Sequence, residues 1–153
     1  MTTWTTDDFD KMSWHDVHVH GFQIVENESG NGTAELIFDI DYILEWRKGE
    51  GKFFSFVVAQ ASLQFHQIFG LKFELDYVKP TSGMCAFSID GIVRERIEYR
   101  TGQHSYKWKL PINWPTGKIE FESPGFTQKL VGEPRLQEGQ SLNPSERSTN
   151  SEF

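Results

Sequence analysis

Residues 53–68 read FFSFVVAQASLQFHQI. From Val57 onward the apolar residues Val57, Ala59, Ala61, Leu63 and Phe65 fall on one side, and Gln60, Ser62, Gln64 and His66 on the other. Side chains of a strand point alternately to opposite faces, so a period of two selects a strand over a helix. The pattern repeats outward in both directions. Leu71, Phe73, Leu75 and Tyr77 alternate with Lys72, Glu74 and Asp76; Val17 to Glu26 and Thr33 to Ile43 precede. Met84 to Ile89, Ile92 to Tyr99, His104 to Leu110 and Lys118 to Glu122 follow. Asp90-Gly91 between two alternating runs reads as a two-residue hairpin turn. The expected fold is therefore mainly β: an antiparallel meander of about seven to nine strands closing as a curled sheet, a sandwich or a small barrel. Helix is scarce, its best place being a turn or two around Tyr42 to Lys48, where Ile43 and Trp46 would share a face.

With 153 residues, 22 acidic and 15 basic side chains, the chain has the length of one domain and a formal charge of −7. Most of that charge sits at the ends: residues 11–132 hold 15 acids against 13 bases. The divisions read from composition are a flexible arm at 1–12, a β-rich domain at 13–132, a docked or loose extension at 133–145 and a disordered tail at 146–153. The acidic balance argues against nucleic acid as partner. No apolar run approaches the roughly 20 residues of a membrane helix, and MTTWTTDDFD lacks the features of a signal peptide. With a single cysteine, Cys85, no disulfide within the chain is available, so the expected location is the cytoplasm.

One constellation carries chemical potential. In WHDVHVHGF (14–22), Val17 and Val19 point inward while Asp16, His18 and His20 share the other face, and beyond Gly21 the apolar parity flips to Phe22 and Ile24. A one-residue bulge at Gly21 accounts for the flip. In LIFDIDYI (36–43), Leu36, Phe38, Ile40 and Tyr42 point inward and Asp39 and Asp41 outward. Pairing core face with core face sets Ile24 against Leu36, Phe22 against Phe38, Val19 against Ile40 and Val17 against Tyr42. His18 then lies opposite Asp41 and His20 beside Asp39. The plainer reading is a solvated face on which each aspartate holds a histidine and raises its pKa. The alternative is a divalent transition-metal site with His18, His20 and Asp39 or Asp41 as ligands.

The other candidates read as structural. Cys85 is expected in the core beside Phe87 and Ile89. His15 is a partly buried or loop residue, and His66 and His104 could join a site only through tertiary proximity. Glu95, Glu98, Glu120 and Glu122 are outer-face residues, and Lys107 and Lys109 belong to charge ladders. No nucleophile elbow, phosphate loop or dinucleotide fingerprint is present. Trp46, Phe53, Phe54, Phe56, Trp108 and Trp114 could line a ligand cavity. Phe54, Phe56 and Val58 make the second face of their strand apolar, so the C-terminal segment or a partner chain should cover it.

The segments WHDVHVHGF (14–22), LIFDIDYILEW (36–46) and GFTQKLVGEPRLQEGQSL (125–142) resemble uncharacterised bacterial single-domain families, over most of residues 13–145. The resemblance implies a small cytosolic domain with no assigned activity and a final stretch docked up to Leu142; it carries over no catalytic residue. The expected function is a non-enzymatic binding or interaction domain, self-associating or holding a protein partner through Phe54, Phe56 and Val58. A metal-binding protein or metal enzyme, and a β-barrel for a hydrophobic ligand, are the alternatives.

Overall fold

The computed structural model describes residues 2–28, 30–49 and 54–148. Ten antiparallel strands form one sheet: β1 Thr3–Thr5, β2 Val17–Glu26, β3 Ala34–Lys48, β4 Phe54–Leu75, β5 Phe87–Ile89, β6 Val93–Glu98, β7 His104–Trp114, β8 Gly117–Ser123, β9 Gly125–Leu130 and β10 Arg135–Gln137. The ladders return on themselves: β2 pairs β3, β3 pairs β4, β4 pairs β8, β8 pairs β7, β7 pairs β5 and β5 pairs β2. The strand that makes this closure possible is β4. Its first part runs along β3 as far as Ile68; after an irregularity between Phe69 and Lys72, its last part pairs with β8. At the junction Gln67 has a φ of 48°, a left-handed conformation rare for a residue with a side chain, and Gly70 has a φ of 64°.

From Ala59 the alternation in β4 places its apolar residues inward as the sequence dictates; Val57, expected with them, is half-buried, and Phe56, Val58 and Gln60 of the opposite parity are buried as well. Ala59, Ala61, Leu63 and Phe65 are buried. Phe65 sits at the middle of an aromatic cluster, with Phe121, Trp108, Phe126 and Phe38 at ring separations of 4.7, 5.1, 5.9 and 6.2 Å. Leu36, Ile40, Ile89, Leu110 and Ile119 fill the remaining interior. Trp108 is fully buried, donating its indole N–H to the Ser123 carbonyl, so it belongs to the core and lines no cavity. Gly117 is required where β8 meets β4: a Cβ there would lie 2.0 Å from the Glu74 carbonyl oxygen.

Several expectations are corrected. Tyr42 to Lys48 continues β3 as strand; the helical pieces are short 3-10 turns at Thr6–Lys11, Pro80–Ser82 and Pro144–Glu146. Asp90-Gly91 does not turn a hairpin, because β5 and β6 both pair with β7, one near each of its ends. The expected arm is built into the body: β1 pairs β9, and Phe9 stacks on Trp14 at 5.6 Å. The Arg94 guanidinium lies 4.2 Å above the Phe9 ring and 4.4 Å above that of Tyr106. At the other end β10 pairs with β4, Leu142 is buried in the core, and the chain stays docked through Ser148. Of the tail expected to be disordered, residues 146–148 are thus attached; 149–153 lie outside the described residues, as does Phe53. No helix among the described residues is long and apolar enough to cross a membrane.

Candidate functional site

The inferred register between β2 and β3 is present from His18 onward, Ile24 with Leu36, Phe22 with Phe38, Val19 with Ile40 and His18 with Asp41; Val17, expected against Tyr42, lies beyond that ladder and pairs with Ile89 of β5. The extra residue of the bulge is His20, one before the expected Gly21, and Gly21 stands opposite Asp39. This shift matters, because a bulged residue leaves the ladder and its side chain is re-aimed. The ring of His20 reaches Asp41, Nε2 lying 2.6 Å from Oδ2.

Asp41 is fully buried and is the centre of a clamp. Its Oδ2 also accepts the Leu142 N–H at 2.8 Å and the Ser141 hydroxyl at 3.2 Å. Arg147 bridges both carboxylates, one Nη on Asp39 and the other on Asp41, with its side chain only 6% exposed. Gln60, on the same outer face of β4, donates to Asp39 and to the Ser148 carbonyl at 3.1 Å each, and accepts the Ser148 N–H at 2.7 Å. The polar face of β2, β3 and β4 is therefore the seat of residues 141–148. A planar guanidinium with donors on separate nitrogens can serve two carboxylates at once, where a lysine would serve one.

The plainer reading of the histidines is corrected. Burial, and next the Arg147 guanidinium, lower the His20 pKa to about 4, with Asp39 pulling weakly the other way. His18 is also lowered, by burial and then by His20, against the Asp16 carbonyl and carboxylate. Both rings are neutral near pH 7. Ionised Asp41 can only accept, so the His20 proton is on Nε2 and Nδ1 is an acceptor. As for the four residues considered as metal ligands, Arg147 already occupies the space between the two carboxylates. Among the described residues no three His, Cys, Asp or Glu side chains gather as a metal site.

The depressed histidine gives the protein a pH dependence with a defined sign. The unfolded chain takes up the His20 proton as pH falls through 6.5, whereas the folded chain resists until about 4. Stability from this group is complete above 6.5 and declines toward 4, a loss of about 2–3 kcal/mol by pH 4.5. Urea midpoints measured from pH 7.5 to 4.5 should fall accordingly. His20→Gln should flatten the descent.

Beside the clamp lies a cleft of about 740 Å³. His18 and His20 contribute its polar side, and Phe22, Leu75, Tyr77, Phe87, Trp114 and Leu142 its apolar walls, with Met84, Cys85 and Ala86 at one margin. Phe22 and Ile24, expected to be core, are exposed, Phe22 at this cleft, because β5 covers β2 only at Val17, His18 and Val19. Cys85, also expected to be core, is exposed: β5 starts at Phe87, and the Cys85 carbonyl is taken by the Tyr77 hydroxyl at 2.6 Å. Trp114 meets Tyr77 edge to face at 6.2 Å. Of the described aromatics considered for a cavity, it is the one that lines this cleft. No family model, curated protein or solved structure matches this chain.

The remaining expected residues are dispersed. Phe56 and Val58 are buried within the chain, with β10 along their edge, leaving only Phe54 of that trio exposed. His15 stacks on Trp46 at 6.0 Å, and Nδ1 approaches the Asp90 carbonyl at 3.2 Å. His66 joins three strands, its Nδ1 2.7 Å from Glu35 on β3 and its Nε2 2.8 Å from the Thr127 hydroxyl on β9. Burial pushes the Glu35 carboxyl up, but the Gln67 amide with His66 and Gln64 outweighs it and holds the pKa below the usual range. Lys107 stands opposite both Glu95 and Glu122, and Lys118 pairs with Glu120 at 3.1 Å, as charge ladders do. Sequence reasoning missed Arg147 and the cleft. Arg147 lies 108 positions from Asp39 in a segment read as unstructured.

Proposed function

We propose that this chain is a non-enzymatic binding domain that holds a small uncharged organic molecule in the cleft between β2, β5 and the C-terminal segment. One observation carries the reading: a concavity of about 740 Å³ has aromatic and aliphatic walls and two histidines on one side, and no lysine, arginine, aspartate or glutamate lines it. Ligand clefts of roughly 300–1,000 Å³ with this balance of apolar wall and few polar groups are the common form of small-molecule sites. A charged ligand would lose its hydration there without gaining a partner. Arg147, which shares Asp41 with His20, is held by Asp39 and Asp41. A catalytic role for the His20–Asp41 pair is disfavoured on chemical grounds. A general base is most useful with a pKa near the working pH, and His20 titrates near 4.

Native mass spectrometry of protein purified without denaturation tests this. The expected result is a one-to-one adduct of small mass, released by organic solvent, or its uptake when apolar aromatic compounds are added. Protein that stays at its bare mass under both conditions contradicts the reading.

A further inference from the structure

We propose that the ligand of this cleft is an aromatic compound bearing a hydroxyl group, which donates to Nδ1 of His20. The inference rests on the binding role just given and specifies its chemistry.

The polar groups at the cleft divide by what they have left to offer. Tyr77 lines it, but its hydroxyl proton goes to the Cys85 carbonyl. Ser141 lines it, and its proton goes to Asp41. His20 lines it with its Nε2 proton committed to the same carboxylate. What these three groups retain is acceptor capacity: the lone pairs of two hydroxyls and the Nδ1 lone pair of a neutral ring. Nδ1 takes no partner among the described residues, whereas the other ring nitrogen is fixed. His18 also lines the cleft as a neutral ring with Nδ1 buried and unpartnered, and adds one donor and one acceptor. Acceptors outnumber donors on this side, so a matched ligand brings a donor, and a hydroxyl can also accept from His18. A free acid is a poorer match, since as a carboxylate it has no proton for Nδ1 of His20 and no free cation lines the site to meet it.

The rest of the lining selects the body of that ligand. Phe22, Phe87, Tyr77 and Trp114 present ring surface, and Met84 adds a flexible, polarizable side chain at the margin. Planar aromatic ligands fit between such walls by edge and face contacts, as Trp114 already meets Tyr77. A hydroxyl on an aromatic ring is a stronger donor than an aliphatic one, which favours it over an alkanol of equal size.

The test is calorimetric titration of the full chain with 2-naphthol, its methyl ether 2-methoxynaphthalene, and 2-naphthoate, joined to nitrogen-resolved NMR of the histidine rings. The expected result is 2-naphthol tightest, by about tenfold over the ether. The Nδ1 resonance of His20 should move with 2-naphthol alone. His20→Phe should remove the difference in affinity between 2-naphthol and the ether; should that variant fail to fold, the wild-type NMR comparison still decides. Equal binding of 2-naphthol and the ether, or an unmoved His20 resonance, overturns the hydroxyl assignment while the cleft reading stands. Tightest binding of 2-naphthoate overturns it as well, through the charge argument. Binding by none of the three overturns both the assignment and the binding role.

Discussion

Replacing Asp41 by alanine should cost about 3–5 kcal/mol of folding stability, because it leaves a buried guanidinium with one of its two carboxylates and orphans the other groups gathered on Asp41. The cost is not that of one hydrogen bond. Asp41 accepts from His20, Ser141 and the Leu142 backbone and meets Arg147; Leu142 and the Arg147 side chain are buried, and His20 and Ser141 partly so. Losing the acceptor orphans them together. The reciprocal change, Arg147→Met, should be nearly as damaging, since Asp39 and Asp41 would then face each other without the cation between them. Combining Asp41→Leu with Arg147→Met should cost clearly less than the sum of the single changes, because the Asp41–Arg147 pair is lost once rather than twice and Asp39, still bonded by Gln60, is the one charge left without its cation. Urea unfolding of the three variants checks this. Additive losses would show that the two side chains act independently and that the clamp is misread.

Phe65→Ala is expected to be comparably severe, about 3–5 kcal/mol, for a different reason. Phe65 is fully buried, and four aromatic rings stand within 6.2 Å of its own. Rings cannot flow into a void as short side chains do, so a cavity persists and the edge-to-face contacts are lost with the transfer energy. Against the 5–15 kcal/mol typical of a domain, either substitution could leave a substantial unfolded fraction at 37 °C. Thermal melting should show the loss. A variant melting within a few degrees of wild type would mean that the aromatic cluster relaxes around the missing ring.

These two positions differ in how openly the sequence displays them. Phe65 belongs to an alternation running from Ala59, and a period of two needs no partner strand to be seen; burial of that face follows. The pairing of β2 with β3 was legible for the same reason: matching Val19 with Ile40 and Phe22 with Phe38 leaves one register, and the change of parity between them demands a bulge. The site is another matter. His18, His20, Asp39 and Asp41 could be placed on a common face, but their charge states depend on Arg147, which arrives from a polar segment more than 100 residues away. Local composition cannot show that such a segment docks, because what holds it is a few long-range polar contacts and one buried leucine, Leu142. The cleft was hidden in the same way. Cys85 carries on the alternation of Phe87 and Ile89, yet the Tyr77 hydroxyl takes the Cys85 carbonyl and the ladder begins two residues later.

The central claim is that the cleft between β2, β5 and the C-terminal segment holds an uncharged aromatic molecule. The most direct measurement is calorimetric titration of 2-naphthol into wild type and into Ala86→Trp, whose added indole fills the margin of the cleft away from the Asp41 clamp. The account predicts saturable binding of one molecule per wild-type chain, and its loss in a variant that still melts cooperatively. No saturable heat with wild type, or undiminished binding to folded Ala86→Trp, would contradict it.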